Sequence, residues 1–312
     1  MKVILPLLLI ASAASTTLLP INALATELQK HSTSEGINLW TDGTGDSEQL
    51  SHDLQQARTS FAKYLIEPTP LNVVLVKDGA ALLNLKKTSE NTTTVLHLTG
   101  ETLMVKPDRQ SQVVRHEACH VMAINGWVQA GLAKGETQGL AYGHPKVADW
   151  LDETLAVMCE PENSRLQEEF SPIPLEQFMA MPHPVMAQMQ QQILAMQQQA
   201  KQQQAAGEKS PMVMVLKEQK TIDHAVDFYI QSAWIREFIL AELGSSGLKS
   251  LYLAVAQGQD PAEYLKAAMN ADNWRHLDQR FHTFLIDKAR LSSTKPQDAS
   301  CNRHSDLKPP SA

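Results

Sequence analysis

Residues 116 to 120 read His-Glu-Ala-Cys-His, so two imidazoles stand four positions apart with a carboxylate between them. On an α-helix, residues i and i+4 lie on one face, one turn apart, so His116 and His120 can hold one metal ion together. Glu117 projects about 100° further round the helix, where it can reach a metal-bound water but is poorly placed as a ligand. The spacing predicts a zinc site with Glu117 as the general base. The alternative is a pair of histidines satisfied by hydrogen bonds alone.

A helix through this motif is expected, because the residues on either side of it contain no Pro or Gly until Gly126, a helix stop signal. A catalytic zinc takes three protein ligands and leaves a fourth position open, so a third donor should follow on another element. Residues 146–158 have apolar side chains at helical spacing, and Pro145 suits the first turn. Glu153 in this second helix is the predicted third ligand.

The segment 150–156, Trp-Leu-Asp-Glu-Thr-Leu-Ala, resembles the W-L-x-E-G-x-A segment of the gluzincins, the thermolysin-like and aminopeptidase-like zinc peptidases. Thr154 stands where those proteins have Gly, and no Asp follows four residues after Glu153 as in the thermolysin branch. The resemblance therefore implies the clan and no particular member. It implies a zincin-like α+β fold, in which a small lobe with a mixed sheet carries the motif helix and a mainly helical lobe follows.

The same resemblance implies Zn²⁺ as the cofactor and a peptide or protein as the substrate, hydrolysed by a water that zinc activates. A Tyr or His should donate a hydrogen bond to the oxyanion, and the candidates are Tyr142, His144, His224 and Tyr229. Small clan members often carry a Tyr at the start of a helix after the third ligand. Tyr229-Ile-Gln-Ser is similar, so Tyr229 is assigned a catalytic role. The alternative for Tyr229 is packing, with its hydroxyl at the rim.

The N-terminus has the features of an export signal. Met1-Lys2 is a short basic start, residues 3–10 are apolar, and Ala23-Leu24-Ala25 is a small-x-small cleavage site. We expect cleavage after Ala25 and an exported protein, periplasmic or extracellular. No later segment reaches 18 consecutive apolar residues, so stable membrane insertion is not expected. The net charge of −7 excludes a global basic field for nucleic acid.

Three cysteines are too few for a disulfide scaffold, but an oxidising compartment permits one bridge. We expect Cys159 to pair with Cys301. A bridge between Cys119 and Cys159, which would join the two ligand-bearing helices, is the alternative. Cys119 is otherwise expected to be a small buried apolar residue.

Hydrophobic periodicity divides the chain into a sheet-containing first half and a helical second half. Strands are predicted at 36–41, 72–76, 93–98 and 102–106, with a hairpin at 99–101 and a helix at 47–66. Further helices are predicted at 221–243, 248–257, 261–269 and 272–290, with a break at Gly244 and an N-cap at Asp260. The predicted divisions are a signal peptide 1–25, a catalytic lobe 26–160, an insert 161–220, a helical lobe 221–290 and a flexible tail 291–312.

Residues 181–207 form a Gln-rich segment whose apolar residues, from Met186 to Ala200, step by three and four along one narrow stripe. A solvated helix or partly disordered insert is the expected structure. A lid over the cleft and a self-association helix are the alternatives.

The function predicted from these patterns is that of an exported zinc metallopeptidase. One competing hypothesis is a non-catalytic binding or scaffold protein on the same fold. Retention of Glu117 beside the ligands argues against it, because binding alone does not need a base. The other competing hypothesis is a zinc hydrolase that acts on a non-peptide amide, such as a cell-wall bond.

Overall fold

The computed structural model describes residues 28–31, 35–75, 102–105, 107–132, 147–161, 165–166, 170–185, 187 and 225–293. The strands are β1 (Gln29–His31), β2 (Ile37–Thr41), β3 (Leu71–Leu75) and β4 (Thr102–Val105). The helices are α1 (Ser47–Tyr64), α2 (Ser111–Gln129), α3 (Asp149–Ala156), α4 (Leu175–Ala180), α5 (Ala225–Ala256), α6 (Pro261–Ala268) and α7 (Trp274–Ser293), and a 3-10 turn spans Val157–Cys159. The predicted α+β class, with a small sheet and mostly helices, is confirmed.

The four strands form one mixed sheet in the order β1-β2-β3-β4. β1 runs antiparallel to β2, whereas β2, β3 and β4 are parallel to one another. β3 is buried at four of its five positions, as expected for a parallel strand covered on both faces. The predicted strand 93–98 and its hairpin lie outside the described residues.

α1 connects β2 to β3 and covers the sheet. Its N-cap is Asp46, whose side chain accepts hydrogen bonds from the backbone N–H groups of Glu48 and Gln49. The apolar residues that recur at helical spacing along α1, Leu50, Leu54, Ala57, Phe61 and Leu65, are all buried. The helices α1 and α2 pack against each other.

α2, the helix with the motif, does not stop at Gly126 as the sequence suggested. It continues to Gln129 and ends before Gly131, which has a positive φ of 109°. Gly126 is needed for a different reason, because a Cβ there would overlap the Tyr252 hydroxyl of α5. At this crossing the Tyr252 hydroxyl donates to the Ala123 carbonyl at 3.0 Å, and Trp127 Nε1 donates to the Tyr252 carbonyl at 3.0 Å.

α5 is the central helix of the second half, and it packs against α1, α2 and α3. The predicted break occurs at Gly244, whose φ of 67° and ψ of −176° interrupt the helix. Among the described residues, Val226–Ala256 is the one helix long and apolar enough to cross a membrane by length and composition, and 39% of its most apolar window is buried. The predicted N-cap Asp260 accepts hydrogen bonds from the backbone of Ala262 and Glu263.

Candidate metal centre

Three side chains from α2 and α3 converge at the junction of these helices. His116 and His120 project from one face of α2, and their Nε2 atoms are 3.1 Å apart. Glu153 of α3 faces both rings, with Oε2 at 3.4 Å from His116 Nε2 and Oε1 at 3.5 Å from His120 Nε2. All three residues are buried, with exposures of 6%, 7% and 0%. This group could hold a metal ion.

The donor separations suit a tetrahedrally coordinated metal ion. Bonds of about 2.0–2.2 Å, as zinc makes, place the ligand atoms of a tetrahedral site about 3.3–3.6 Å from one another. The three separations, 3.1, 3.4 and 3.5 Å, lie close to that range. Two imidazole nitrogens and one carboxylate also form the ligand set of many catalytic zinc sites, which keep a fourth position for water or substrate.

A second layer of carboxylates fixes the orientation of both rings. Glu160 Oε1 lies 2.7 Å from His116 Nδ1, and Asp152 Oδ1 lies 2.9 Å from His120 Nδ1. Because an ionised carboxylate only accepts hydrogen bonds, each Nδ1 carries a proton, and in the neutral form of each ring Nε2 presents a lone pair. Two such lone pairs at 3.1 Å would repel each other, and a cation between them, either a proton or a metal ion, removes the repulsion.

Glu160 is itself held by two further side chains. Arg165 Nε donates to both of its oxygens, at 2.6 and 2.8 Å, and Gln112 Nε2 donates to Oε2 at 2.6 Å. Burial raises the pKa of Glu160, but the hydrogen bond and charge of His116, together with Arg165, outweigh it and lower the pKa to about 2. Glu160 is therefore an ionised acceptor for His116 at neutral pH.

Acidic neighbours make the two histidines basic. Burial lowers the pKa of His116, but the charge of Glu153 and the hydrogen bonds to Glu153 and Glu160 outweigh it and raise the pKa to about 9. Burial also lowers the pKa of His120, but the charge and hydrogen bond of Asp152, together with Glu153, outweigh it and raise the pKa well above 6.5. A proton and a metal ion therefore compete for the same Nε2 atoms.

Tyr229 of α5 lies beside His116, and Glu117 of α2 is near enough to act on the Tyr229 phenol electrostatically. The Tyr229 ring lies 6.1 Å from the His116 ring, and the Arg165 guanidinium lies 4.8 Å above the Tyr229 ring. Burial and then the charge of Glu153 raise the pKa of the Tyr229 phenol well above 10, with a further contribution from Glu117 and against the effect of Arg165. Tyr229 is thus a protonated hydrogen-bond donor, and Glu117, which is half-buried, lies within electrostatic reach of it.

His183 is one of the neighbours of this site that the sequence did not indicate. Its ring is 2% exposed, and Nε2 lies 3.1 Å from the Tyr229 hydroxyl and 3.2 Å from Glu153 Oε1. The backbone N–H of His183 donates to Asp149 Oδ2 at 2.6 Å, which ties its loop to the start of α3. Because Glu153 only accepts, the Nε2 proton of His183 is directed to it, and the phenol proton of Tyr229 can be donated to a group that enters the site.

The disulfide links Cys119 with Cys159, whose Cα atoms are 5.9 Å apart. The expected pairing of Cys159 with Cys301 is therefore wrong, and the alternative is observed. The physical reason is that α2 packs against the turn Val157–Cys159, which places the two side chains face to face in the core.

The structure thus brings His116, His120, Glu153 and Tyr229 together, and Glu117 lies within electrostatic reach of Tyr229. Tyr142, His144 and His224, the other candidate donors, lie outside the described residues. Sequence reasoning missed the roles of Asp152, Glu160, Arg165 and His183, of which only Asp152 had a local signal, its position beside Glu153. No protein-family model, no curated protein and no solved structure matches the chain.

Proposed function

We propose that this chain is an exported zinc-dependent hydrolase of peptide bonds, with a gluzincin-type ligand set of His116, His120 and Glu153. The observation that carries the proposal is the convergence of three buried donors at 3.1–3.5 Å, with the Nδ1 atom of each histidine held by its own carboxylate. A pair of histidines serving packing alone has no physical need for two lone pairs directed at each other and at a buried carboxylate.

When bound, zinc polarises the scissile carbonyl and makes water nucleophilic near neutral pH. Glu117 is the acceptor for the proton that water loses, and its carboxyl oxygen then returns that proton to the leaving amine. Tyr229 donates its phenol proton as a hydrogen bond to the carbonyl oxygen as negative charge develops there. His183 keeps the hydroxyl of Tyr229 and the carboxylate of Glu153 in a fixed relation, since its Nε2 contacts both.

Export is supported by two features. The N-terminal segment reads as a signal peptide with cleavage after Ala25. The Cys119–Cys159 disulfide is the second, because such bonds persist in oxidising compartments and are rare in the cytosol.

The test begins with metal analysis of the purified mature protein. We expect one tightly held zinc per chain, and we expect His116→Ala and His120→Ala to lose it because each removes one of three ligands. Undiminished zinc in both variants would remove these histidines from the site. Peptide-library digestion then measures hydrolysis.

The substitution Glu117→Gln separates chemistry from binding, because it keeps the shape of the side chain and removes the proton acceptor. We expect zinc content and fold to be retained and turnover to fall by about a hundredfold or more. Glu176→Gln, the same change at an exposed position on α4, is the matched control and should be neutral. Equal turnover in Glu117→Gln and the parent would contradict the assigned base. A zinc-loaded parent without turnover on peptides would favour a binding protein, or a cell-wall amidase if cell-wall fragments are cleaved.

A further inference from the structure

The disulfide occupies a special position relative to the candidate metal centre. Cys119 lies on α2 between the two ligands His116 and His120, and its partner Cys159 is the residue immediately before Glu160. One covalent bond therefore joins the helix that carries two ligands to the turn that carries the carboxylate orienting His116. Both cysteines are fully buried.

Hydrogen bonds from α2 also hold the contact between this helix and residues 159 and 160, which we call the seam. Arg115 Nε donates to the Cys159 carbonyl at 2.7 Å, and Gln112 Nε2 donates to Glu160 at 2.6 Å. These bonds involve partly exposed side chains, so each contributes little stability and opens in local fluctuations. The disulfide limits how far the two segments can separate when they open.

We propose that the Cys119–Cys159 disulfide positions the metal centre, so that the oxidised chain retains zinc far better than the reduced chain. The inference rests on the zinc site proposed above but not on its hydrolytic activity. If the seam opens, Glu160 leaves His116 Nδ1 and the ring loses the contact that directs Nε2 to the ion. Loss of such an outer partner typically weakens metal binding by about ten- to a hundredfold.

Metal retention consequently follows the redox state of the compartment. Reduction by a phosphine breaks the S–S bond and transfers two electrons to the sulfurs. Water supplies two protons to the new thiols of Cys119 and Cys159, and its oxygen forms the phosphine oxide. In a reducing compartment the chain holds these two thiols and a loosened site, whereas after export the bond forms and the site closes around zinc.

The experiment measures the rate at which zinc passes from the mature protein to a chromogenic chelator, well below the unfolding temperature. The compared proteins are the oxidised parent, the phosphine-treated parent and the double variant Cys119→Ala/Cys159→Ala, which needs no reductant to reach a buried bond. We expect zinc release about ten- to a hundredfold faster without the bond. Cys301→Ala is the matched control and should release zinc like the parent.

A second comparison tests whether the bond acts through Glu160. Glu160→Gln in the bridged chain should accelerate release by a similar factor, and adding it to the double alanine variant should change little more. If loss of the bond instead loosened the whole fold, the accelerations of zinc release from the two changes would multiply. Release rates equal with and without the bond, in both the variant and the reduced parent, would overturn the inference.

Failure of this inference can be distinguished from failure of the proposed function. Glu117→Gln should show the same redox dependence of zinc release, although it lacks turnover. An oxidised parent that binds no zinc would overturn the metal centre and this inference together, whereas a zinc-retaining parent without hydrolysis would overturn the peptidase function alone.

Discussion

At the scale of single residues, Tyr229 is the side chain whose role is most sharply defined by its surroundings. Its phenol contacts His183 Nε2 at 3.1 Å, and its pKa is held well above 10 by burial and by the charges of Glu153 and Glu117. A packing tyrosine with its hydroxyl at the outer rim would not have these neighbours. The position fits a donor to the oxyanion.

Tyr229→Phe should therefore lower kcat by about tenfold to a thousandfold, or roughly 1.4–4 kcal/mol, because the missing hydrogen bond matters mainly in the transition state. Zinc content and KM should change little. Tyr264→Phe on α6 is the control for loss of a hydroxyl elsewhere. If steady-state kinetics show Tyr229→Phe to be nearly neutral, Tyr229 serves packing, and Tyr142 and His144 become the next variants.

The sequence predicted the site residues that a short stretch of chain is enough to mark. His116 and His120 share one helix turn, and Glu153 follows in a short recognisable segment, so spacing alone indicated them. Glu160 and His183 approach the centre only through the tertiary fold. The turn after α3 brings Glu160 against α2, and the loop after α4 brings His183 against Glu153. Neither has a spacing that marks it, so only the tertiary structure assigns them.

At the scale of secondary-structure elements, the crossing of α2 and α5 shows where a local signal failed. Gly126 is a reasonable helix stop by composition, but the approach of Tyr252 gives it a packing role inside a longer helix. The helices α1 and α6 were predicted nearly to the residue, because the apolar periodicity of α1 and the N-cap Asp260 of α6 are local signals that tertiary contacts did not override.

Gly126→Ala should lower the free energy of unfolding by about 1–3 kcal/mol, because the added methyl overlaps the Tyr252 hydroxyl. The change is opposite in sign to the roughly 1 kcal/mol that Ala gains over Gly in an exposed helix. Denaturant titration measures it. In a Tyr252→Phe background the cost should shrink, since the overlapping oxygen is gone. An equal cost in both backgrounds would show that the hydroxyl is not the cause.

At the scale of the whole molecule, one core connects the sheet, the motif helix and the helical second half. α5 is apolar enough to resemble a membrane span, yet it packs against α1, α2 and α3 and carries Tyr229 to the candidate metal centre. The stability of the core and the protonation of the centre are therefore linked, because the histidines and carboxylates of the site are buried in it.

This linkage predicts how the stability of the zinc-free protein depends on pH. The pKa of His116 is raised from 6.5 to about 9 in the folded state, so its contribution is fully present below pH 6.5 and is lost as pH rises through 9. The pKa of Glu160 is lowered from 4.5 to about 2, so its contribution is present above pH 4.5 and is lost as pH falls through 2. Both contributions are therefore fully present between pH 4.5 and pH 6.5, and Tm should be highest there.

Calorimetry of the zinc-free protein should show Tm falling from pH 6.5 to pH 9, and excess zinc should restore more stability at pH 9 than at pH 6.5. The reason is that the proton on His116 competes with zinc for Nε2, and this competition disappears as the proton leaves. His116→Gln should flatten the fall, whereas His276→Gln, a change at a partly exposed side chain at the start of α7, should not. A zinc-free Tm that stays constant or rises between pH 6.5 and 9 would contradict the assignment of a proton to the Nε2 atom of His116.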